Sequence, residues 1–318
     1  MIEGIPRISV LVITYNQEDV IARAMDSLVA KNDYLYEICV SDDCSKDRTW
    51  EILQEYSSKY PGLFVLNRNE PNLGIFENNE KTWTMPSGDI IYQMAGDDEA
   101  GKGWFKTVVD YIAENRIDWK NELFCIYGDY ISVYPNGDSI VHHNNLVTKS
   151  NNLLKLSLRG LIGNRGCCFC RKVLAKFKKV SQGKSHIAED AQDRQLQIFS
   201  ENNYYIPYIG NIYYSAIGVS SHIDESKIKE RSKIRPYAIQ LFESWGVNID
   251  TEDRMYSLEC FPAYEKLLYS PSIKHFFQWF ALLIKSHDSK IPFSFNRIHR
   301  LYLALIRRLP HKSPKMYE

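Results

Sequence analysis

Two pairs of adjacent carboxylates, Asp42-Asp43 and Asp97-Asp98, are the residues best placed to do chemistry. Each follows directly on a short apolar run, Tyr36 to Val40 and Ile90 to Met94, with the composition of a buried strand. Neighbouring carboxylates repel, so Asp97-Asp98 costs stability unless solvent or a cation relieves it. A hard divalent ion, Mn²⁺ or Mg²⁺, takes oxygen ligands and would also hold a diphosphate. The competing reading is a solvated acidic loop capping a helix that begins near Gly103-Trp104. Asp42 and Asp43 suit hydrogen bonds from a ribose or a base N–H, or else an Asx turn or cap ahead of Thr49. Glu189-Asp190 opens a helix predicted over 188–199, where the dipole keeps a carboxylate ionised as a general base requires. Plain capping is the alternative. His186 and His222 are candidate ligands or phosphate partners, or simply exposed.

The elements that must position these groups alternate. Ile8 to Ile13 is a β-branched run ending at Thr14-Tyr15-Asn16-Gln17, and Val20, Ile21, Ala24, Met25, Leu28 and Val29 then recur at helical spacing. A strand at 36–40, a helix at 49–60, a strand at 64–66, a helix at 75–83 and a strand at 90–94 continue the series. Such a βαβαβαβ order predicts a parallel sheet with helices on both faces, and ligands in such sheets bind at the carboxyl ends of the strands. Both acidic pairs lie there. From 105 to 225 the pattern is mixed. Strands are expected at 123–127, 130–134 and 139–143, with Pro135-Asn136-Gly137-Asp138 as a hairpin turn between the last two. Leu153 to Leu161 reads as helix, Cys167 to Arg171 as extended, and Tyr204 to Tyr214 as two short strands. Helix signals dominate from 226 onward.

Composition narrows the function. Of 318 residues, 44% are apolar and 25% charged, which excludes wholesale disorder, and 39 basic residues balance 39 acidic ones, so no basic excess points to nucleic acid. Seven cysteines do not form spaced zinc-type pairs; Cys167-Cys168-Phe169-Cys170 reads as buried strand rather than a metal or redox site, and a reduced, cytosolic compartment fits best. No secretory signal and no apolar run of about 20 residues is seen, so a soluble chain is expected. No G-x-G-x-x-G follows the first strand and no G-x-x-x-x-G-K-[ST] occurs, which argues against a dinucleotide-binding enzyme or a P-loop NTPase.

Together, these segments resemble the family 2 nucleotide-sugar glycosyltransferases of the GT-A fold, over about residues 7 to 220. The segments that carry the resemblance are Ile8 to Asn16, Tyr36 to Asp47 with its Asp-Asp-x-Ser-x-Asp end, Asn72-Leu73-Gly74 followed by Asn78-Asn79, and Ser87-Gly88-Asp89 followed by Gly96-Asp97-Asp98. The resemblance implies a GT-A, Rossmann-like, mostly parallel α/β domain over 1–225, with a nucleotide-binding half (1–104) and an acceptor half (105–225); the helix signals add a helical region over 226–318 outside it. It implies that Thr14, Tyr15 and Asn16 line the nucleotide base and ribose, with Asp42 at the same donor site and Asp43 bonded to the base. Asp97 would be the metal ligand, with Mn²⁺ or Mg²⁺ on the diphosphate, and Asp98 would support it or meet the donor sugar. Asp190 would be the catalytic base of an inverting transfer from a UDP-, dTDP- or GDP-sugar to a glycan or lipid-linked acceptor in polysaccharide synthesis. Two departures stand out: Ala95 occupies the first position of the family's D-x-D, with His222 as a substitute ligand, and Tyr213-Tyr214-Ser215-Ala216 lacks an expected Arg.

Outside the resemblance, 271–318 carries nine Lys or Arg against two acids, a local net charge of +7. Ile298, Leu301, Tyr302, Leu305 and Ile306 form one helical stripe, and Phe276, Phe277, Trp279 and Phe280 precede them. This suits contact with a membrane surface, hence peripheral attachment at the cytoplasmic face, or else helices packed on the catalytic domain with a solvated basic face. Two rivals to the enzyme reading remain: a catalytically idle nucleotide-sugar or glycan-binding protein of the same fold, and a sugar nucleotidyltransferase. The latter would want a Gly-rich basic loop where Tyr15 to Asp19 stands.

Overall fold

The computed structural model describes residues 4–30, 34–135, 137–149, 153–158, 162–179, 194–215, 225–269 and 272–286. The chain falls into two compact units, 1–151 with 162–219, and 152–161 with 220–318.

The first unit begins as the alternation predicts: β1 Ile8–Thr14, α1 Ile21–Val29, β2 Leu35–Asp42, α2 Thr49–Lys59, β3 Phe64–Arg68, α3 Ile75–Thr82 and β4 Ile90–Ala95. β1 is parallel to both β2 and β4, and β2 is parallel to β3. Layers of helix cover such a sheet on both faces, so β1 needs no polar face, and Ile8, Val10, Leu11 and Val12 are fully buried. α1 closes one side with Ile21, Ala24, Met25 and Leu28, the i, i+3, i+4, i+7 stripe visible in the sequence.

Beyond β4 the sheet turns mixed. The strands β5 Glu99–Ala100, β6 Phe124–Val133, β7 Ser139–His142, β8 Cys167–Cys170 and β9 Asn202–Tyr214 complete a nine-stranded sheet among the described residues, ordered β3-β2-β1-β4-β8-β6-β9-β5 with β7 on β6. β8 runs antiparallel between β4 and β6, while β6 and β9 are parallel. All four residues of β8 are buried, so the Cys cluster is a core strand.

Two expectations are corrected. Residues 124–133 form one strand rather than two, and 202–214 form one strand rather than two short ones. The breaks read into the sequence coincide with an irregularity in the β6–β9 ladder, where Tyr127 pairs Tyr205 but Asp129 pairs Ile209. That bulge absorbs Gly128 on one strand and Pro207-Tyr208 on the other, and pairing resumes beyond it. α4 Trp104–Glu114 packs here through Trp104, whose ring stacks on Tyr208 at 6.3 Å.

At the amino ends of the strands, buried Glu37 accepts hydrogen bonds from Ser9 Oγ at 2.6 Å and from the Ser87 amide at 2.5 Å. The Ser87-Gly88-Asp89 turn is thereby tied down, and a Cβ on Gly88 would run into Ser9 Oγ and the Arg7 carbonyl. This Ser-Gly-Asp segment is therefore scaffold, at the opposite end of β4 from the acidic pair.

In the second unit, α5 Leu153–Leu158 contributes Lys155, which bonds Asp250 at 2.7 Å and pairs Asp253 at 3.4 Å. Asp250 also caps the helix Thr251–Met255 through the Asp253 amide. Those two roles, winning over desolvation, hold its carboxyl below the usual range. Tyr256, Cys260, Tyr264, Leu267 and Trp279 form its core.

Candidate active site

The winding of the sheet reverses between β1 and β4, and the crevice at such a reversal is where open α/β sheets take ligands. Three chain segments meet the carboxyl edge there: the turn after β1, the Asp42-Asp43 segment after β2, and the Asp97-Asp98 turn after β4.

The first two interlock. The Asn16 amide donates to Ser45 Oγ at 2.9 Å, and the Lys46 amide returns a bond to Asn16 Oδ1 at 2.8 Å. Gln17 N–H reaches Thr49 Oγ1 at 2.7 Å, and Glu18 N–H reaches Asp47 Oδ2 at 3.0 Å. Asn16 holds this turn with a left-handed backbone, φ 50°, a conformation Asn tolerates well. Tyr15 remains 44% exposed above it.

Asp42 is fully buried, bonded to Ser45 Oγ and the Ser45 amide, and 3.5 Å from Arg68. Burial pushes its carboxyl above the ordinary range, against the pull of Ser45 and Arg68. Asp43 accepts from the Leu73 and Gly74 amides, both at 2.8 Å, and from Asn69 Nδ2 at 3.0 Å. Asn69 in turn bonds Asn78, which holds the Ser41 carbonyl. The Asn-Leu-Gly turn and Asn78 are thus the clamp that fixes Asp43. Three of about four acceptor positions on its carboxylate are filled, leaving room for one more donor.

Asp97 and Asp98 are buried, 7% and 5% exposed, so the solvated-loop reading fails; α4 begins at Trp104 with Gly103 at its N-cap and no side-chain cap. Burial raises both carboxyls, Asp98 to about 7, with Arg165 opposing on each and Asp97 adding to the rise on Asp98. The Tyr214 backbone and the Asn211 side chain also oppose the rise on Asp98, whose Oδ1 has no hydrogen-bond partner among the described residues. Gln17 and Arg23 also steady Asp97, the Arg23 guanidinium donating to the Asp97 carbonyl at 2.7 Å. Gly96 makes this possible, since a Cβ there would strike Gln17 and Ile21.

Two arginines escaped the sequence reading. Arg23, from α1, lies 3.6 Å over the Tyr214 ring and pairs Glu99 at 3.2 Å, and Tyr214 O–H also donates to Glu99. Arg165 lies 4.0 Å over the Tyr213 ring. The cations missing from the Tyr213-Tyr214 segment itself are supplied to its rings from elsewhere in the chain. Beyond them, buried Asp129 accepts from His143 Nδ1 at 2.7 Å, the Asn144 amide at 3.1 Å and Tyr205 O–H at 2.8 Å. Asp190, Glu189, His186 and His222 lie outside the described residues.

The raised carboxyls fix a pH dependence. A group that holds its proton more tightly when folded favours folding at low pH and loses that contribution as pH rises through its folded value. The melting temperature of the free protein should fall as pH rises from about 4 to about 7 on account of Asp98. Asp42 and Asp97 contribute with the same sign. Asp98→Asn should flatten the slope, and an unchanged slope would show that Asp98 does not carry the shift.

A doubly wound α/β sheet with paired acids and arginines at its reversal point belongs to the open α/β folds that take a ligand in that crevice. The model of the Glycosyl transferase family 2 matches residues 9–174, more than half of the chain, and the protein belongs to that family. It is 38% identical over 95 residues to a dolichol-phosphate mannosyltransferase of Pyrococcus furiosus, covering 29% of this chain and 26% of that one. It is 31% identical over 116 residues to a poly(ribitol-phosphate) beta-glucosyltransferase of Bacillus spizizenii, covering 35% of this chain and 18% of that one. The match to the Mycobacterium tuberculosis protein Rv1520 likewise spans 26% of that protein's length, so the chain aligns with about a quarter or less of each of these relatives. The structure of S. aureus TarS 1–349 in complex with UDP-GlcNAc superposes with a TM-score of 0.61 at 16% identity, covering 95% of this chain and 88% of that one, a likeness of fold.

Proposed function

We propose that this protein transfers a sugar, with inversion, from a nucleotide-sugar donor to a hydroxyl of a glycan or lipid-linked acceptor in the synthesis of a polysaccharide. The observation that carries the proposal is the buried Asp97-Asp98 pair at the reversal between β1 and β4, with Asp98 Oδ1 left without a partner among the described residues. Family membership and the names of the relatives support sugar transfer, and the TarS complexes, whose titles name UDP-GlcNAc and UDP, make a UDP-sugar the first donor to try.

The donor set of the pair, carboxylate oxygens with one buried oxygen unpartnered among the described residues, suits a hard divalent ion such as Mn²⁺ or Mg²⁺. Among the described residues no three candidate ligands come together, so the protein's share would be Asp97, with Asp98 supporting it or meeting the donor sugar and His222 as the proposed second ligand. Such an ion supplies charge neutralisation for the departing nucleoside diphosphate. Tyr15, Thr14 and Asn16 would border the base and ribose, Asp43 would offer its remaining acceptor position to a base N–H, and Asp42 would hold that wall through Ser45. Arg165 and Arg23, whose charges act on Asp97, would add positive charge to the same site. Asp190 would take the proton of the acceptor hydroxyl as the anomeric carbon gains oxocarbenium character. Burial pushes the Cys168 and Cys170 thiols up and holds them protonated, which suits the reducing, cytoplasmic setting proposed here.

Thermal stabilisation by UDP, dTDP and GDP, each with Mn²⁺, Mg²⁺ or EDTA, tests this reading. A ligand of the folded state raises the melting temperature by mass action, so one nucleotide should produce a metal-dependent shift. No shift with any nucleotide would favour the idle-protein reading, which has Ala95 and the lack of a three-ligand group among the described residues on its side.

A further inference from the structure

The helix Ile273–Lys285, which follows the helix Phe261–Tyr269, divides its apolar residues between two faces. Trp279 is buried in the core of the second unit, with Leu282 and Leu283 packed against that core. The other face keeps Ile273, Phe276, Phe277, Phe280 and Ile284 in water, at 79%, 38%, 63%, 38% and 58% exposure. At about 100° per residue these five fall within roughly 100° of one another, a continuous apolar stripe along the helix. The Phe276 and Phe280 rings stack at 6.0 Å, and Phe276 meets Phe277 edge-on at 5.7 Å, so the stripe is one aromatic surface rather than scattered side chains.

Large contiguous apolar surface marks an interaction site. We infer that this stripe seats in the interfacial layer of an anionic lipid membrane. Charge selects that occupant over an apolar protein groove. Lys274 and Lys285 are exposed on the same helix, and residues 271–318 carry nine Lys or Arg against two acids. Basic residues beside an apolar helical face add attraction to anionic lipid to the burial of the rings. At 13 residues the helix is too short to cross a bilayer, and no described helix is long and apolar enough to do so, so it lies in the surface plane. The inference is independent of the transfer chemistry.

The test is sedimentation of the full chain with phosphatidylglycerol-containing vesicles and with pure phosphatidylcholine vesicles, at low and at physiological salt. Binding to the anionic vesicles is expected, weakened by salt. Phe277→Glu should lower vesicle affinity about tenfold or more, the loss of one buried ring. Lys274→Glu with Lys285→Glu should weaken anionic binding without abolishing the residual apolar contact. Unchanged melting temperatures would show that these exposed substitutions leave the fold intact. Absence of binding at low salt overturns the inference, as does equal binding by Phe277→Glu. Binding that appears only after removal of residues 287–318 would also overturn it, since the stripe would then be covered by the chain itself.

Discussion

Purified Asp190→Asn protein is expected to transfer sugar about 10²–10⁴-fold more slowly than the wild type while binding donor unchanged, the loss typical of a missing general base. The amide keeps the shape of the carboxylate but cannot accept a proton from the acceptor hydroxyl. The loss should therefore fall on kcat, with the donor KM and the donor-induced rise in melting temperature unaltered. An intact thermal shift also rules out a folding defect as the cause. Turnover at the wild-type rate would remove Asp190 from the role of base, and the search would pass to other carboxylates of the acceptor half.

Asp97→Ala should act on binding instead. Loss of the proposed metal ligand is expected to abolish the Mn²⁺- or Mg²⁺-dependent part of nucleoside-diphosphate affinity, a fall of about 10²-fold or more given the several kcal/mol such an ion contributes. A metal-insensitive remainder should persist, because Arg165 and the turn after β1 are untouched. The same substitution should raise the melting temperature of the free protein at pH 8. Asp97 is a buried carboxylate whose ionised form is disfavoured by desolvation, so removing it relieves a cost that the fold carries for its site. A variant that binds nucleotide as the wild type does, with the same metal dependence, would show that the pair serves some other purpose.

Much of this architecture was legible because the physics behind it is local. A β-branched run followed by a 3.6-residue apolar period predicts strand then helix, and three repeats of that order closed by a fourth strand leave a parallel sheet as the economical arrangement. The carboxyl-end position of Asp42-Asp43 and Asp97-Asp98 followed from chain order alone. The strand boundaries at 124–133 and 202–214 were misread because Gly128 and Pro207 are local signals for a break. The ladder between β6 and β9 overrides both by bulging around them. Arg23 and Arg165 were invisible for a different reason. Arg23 is one polar residue on an otherwise ordinary amphipathic helix, and its partners Asp97, Glu99 and Tyr214 are 74 or more positions away.

The sequence by itself determined the family resemblance, the doubly wound half of the sheet and the end of it at which the acids collect. What it could not divide was scaffold from site. Asp42, Asp43 and Asp47 look as chemical as Asp97 and Asp98 when read along the chain. Only the folded structure shows Asp42 spent on Ser45 and Arg68, Asp47 on Thr49 and Glu18, and Asp43 largely on the Asn72-Leu73-Gly74 turn. Asp98 alone among these five is left with a buried oxygen that nothing described in the chain satisfies. A carboxylate's role depends on which donors reach it, and most of those donors come from segments about 30 or more residues distant that only tertiary packing brings within hydrogen-bond range.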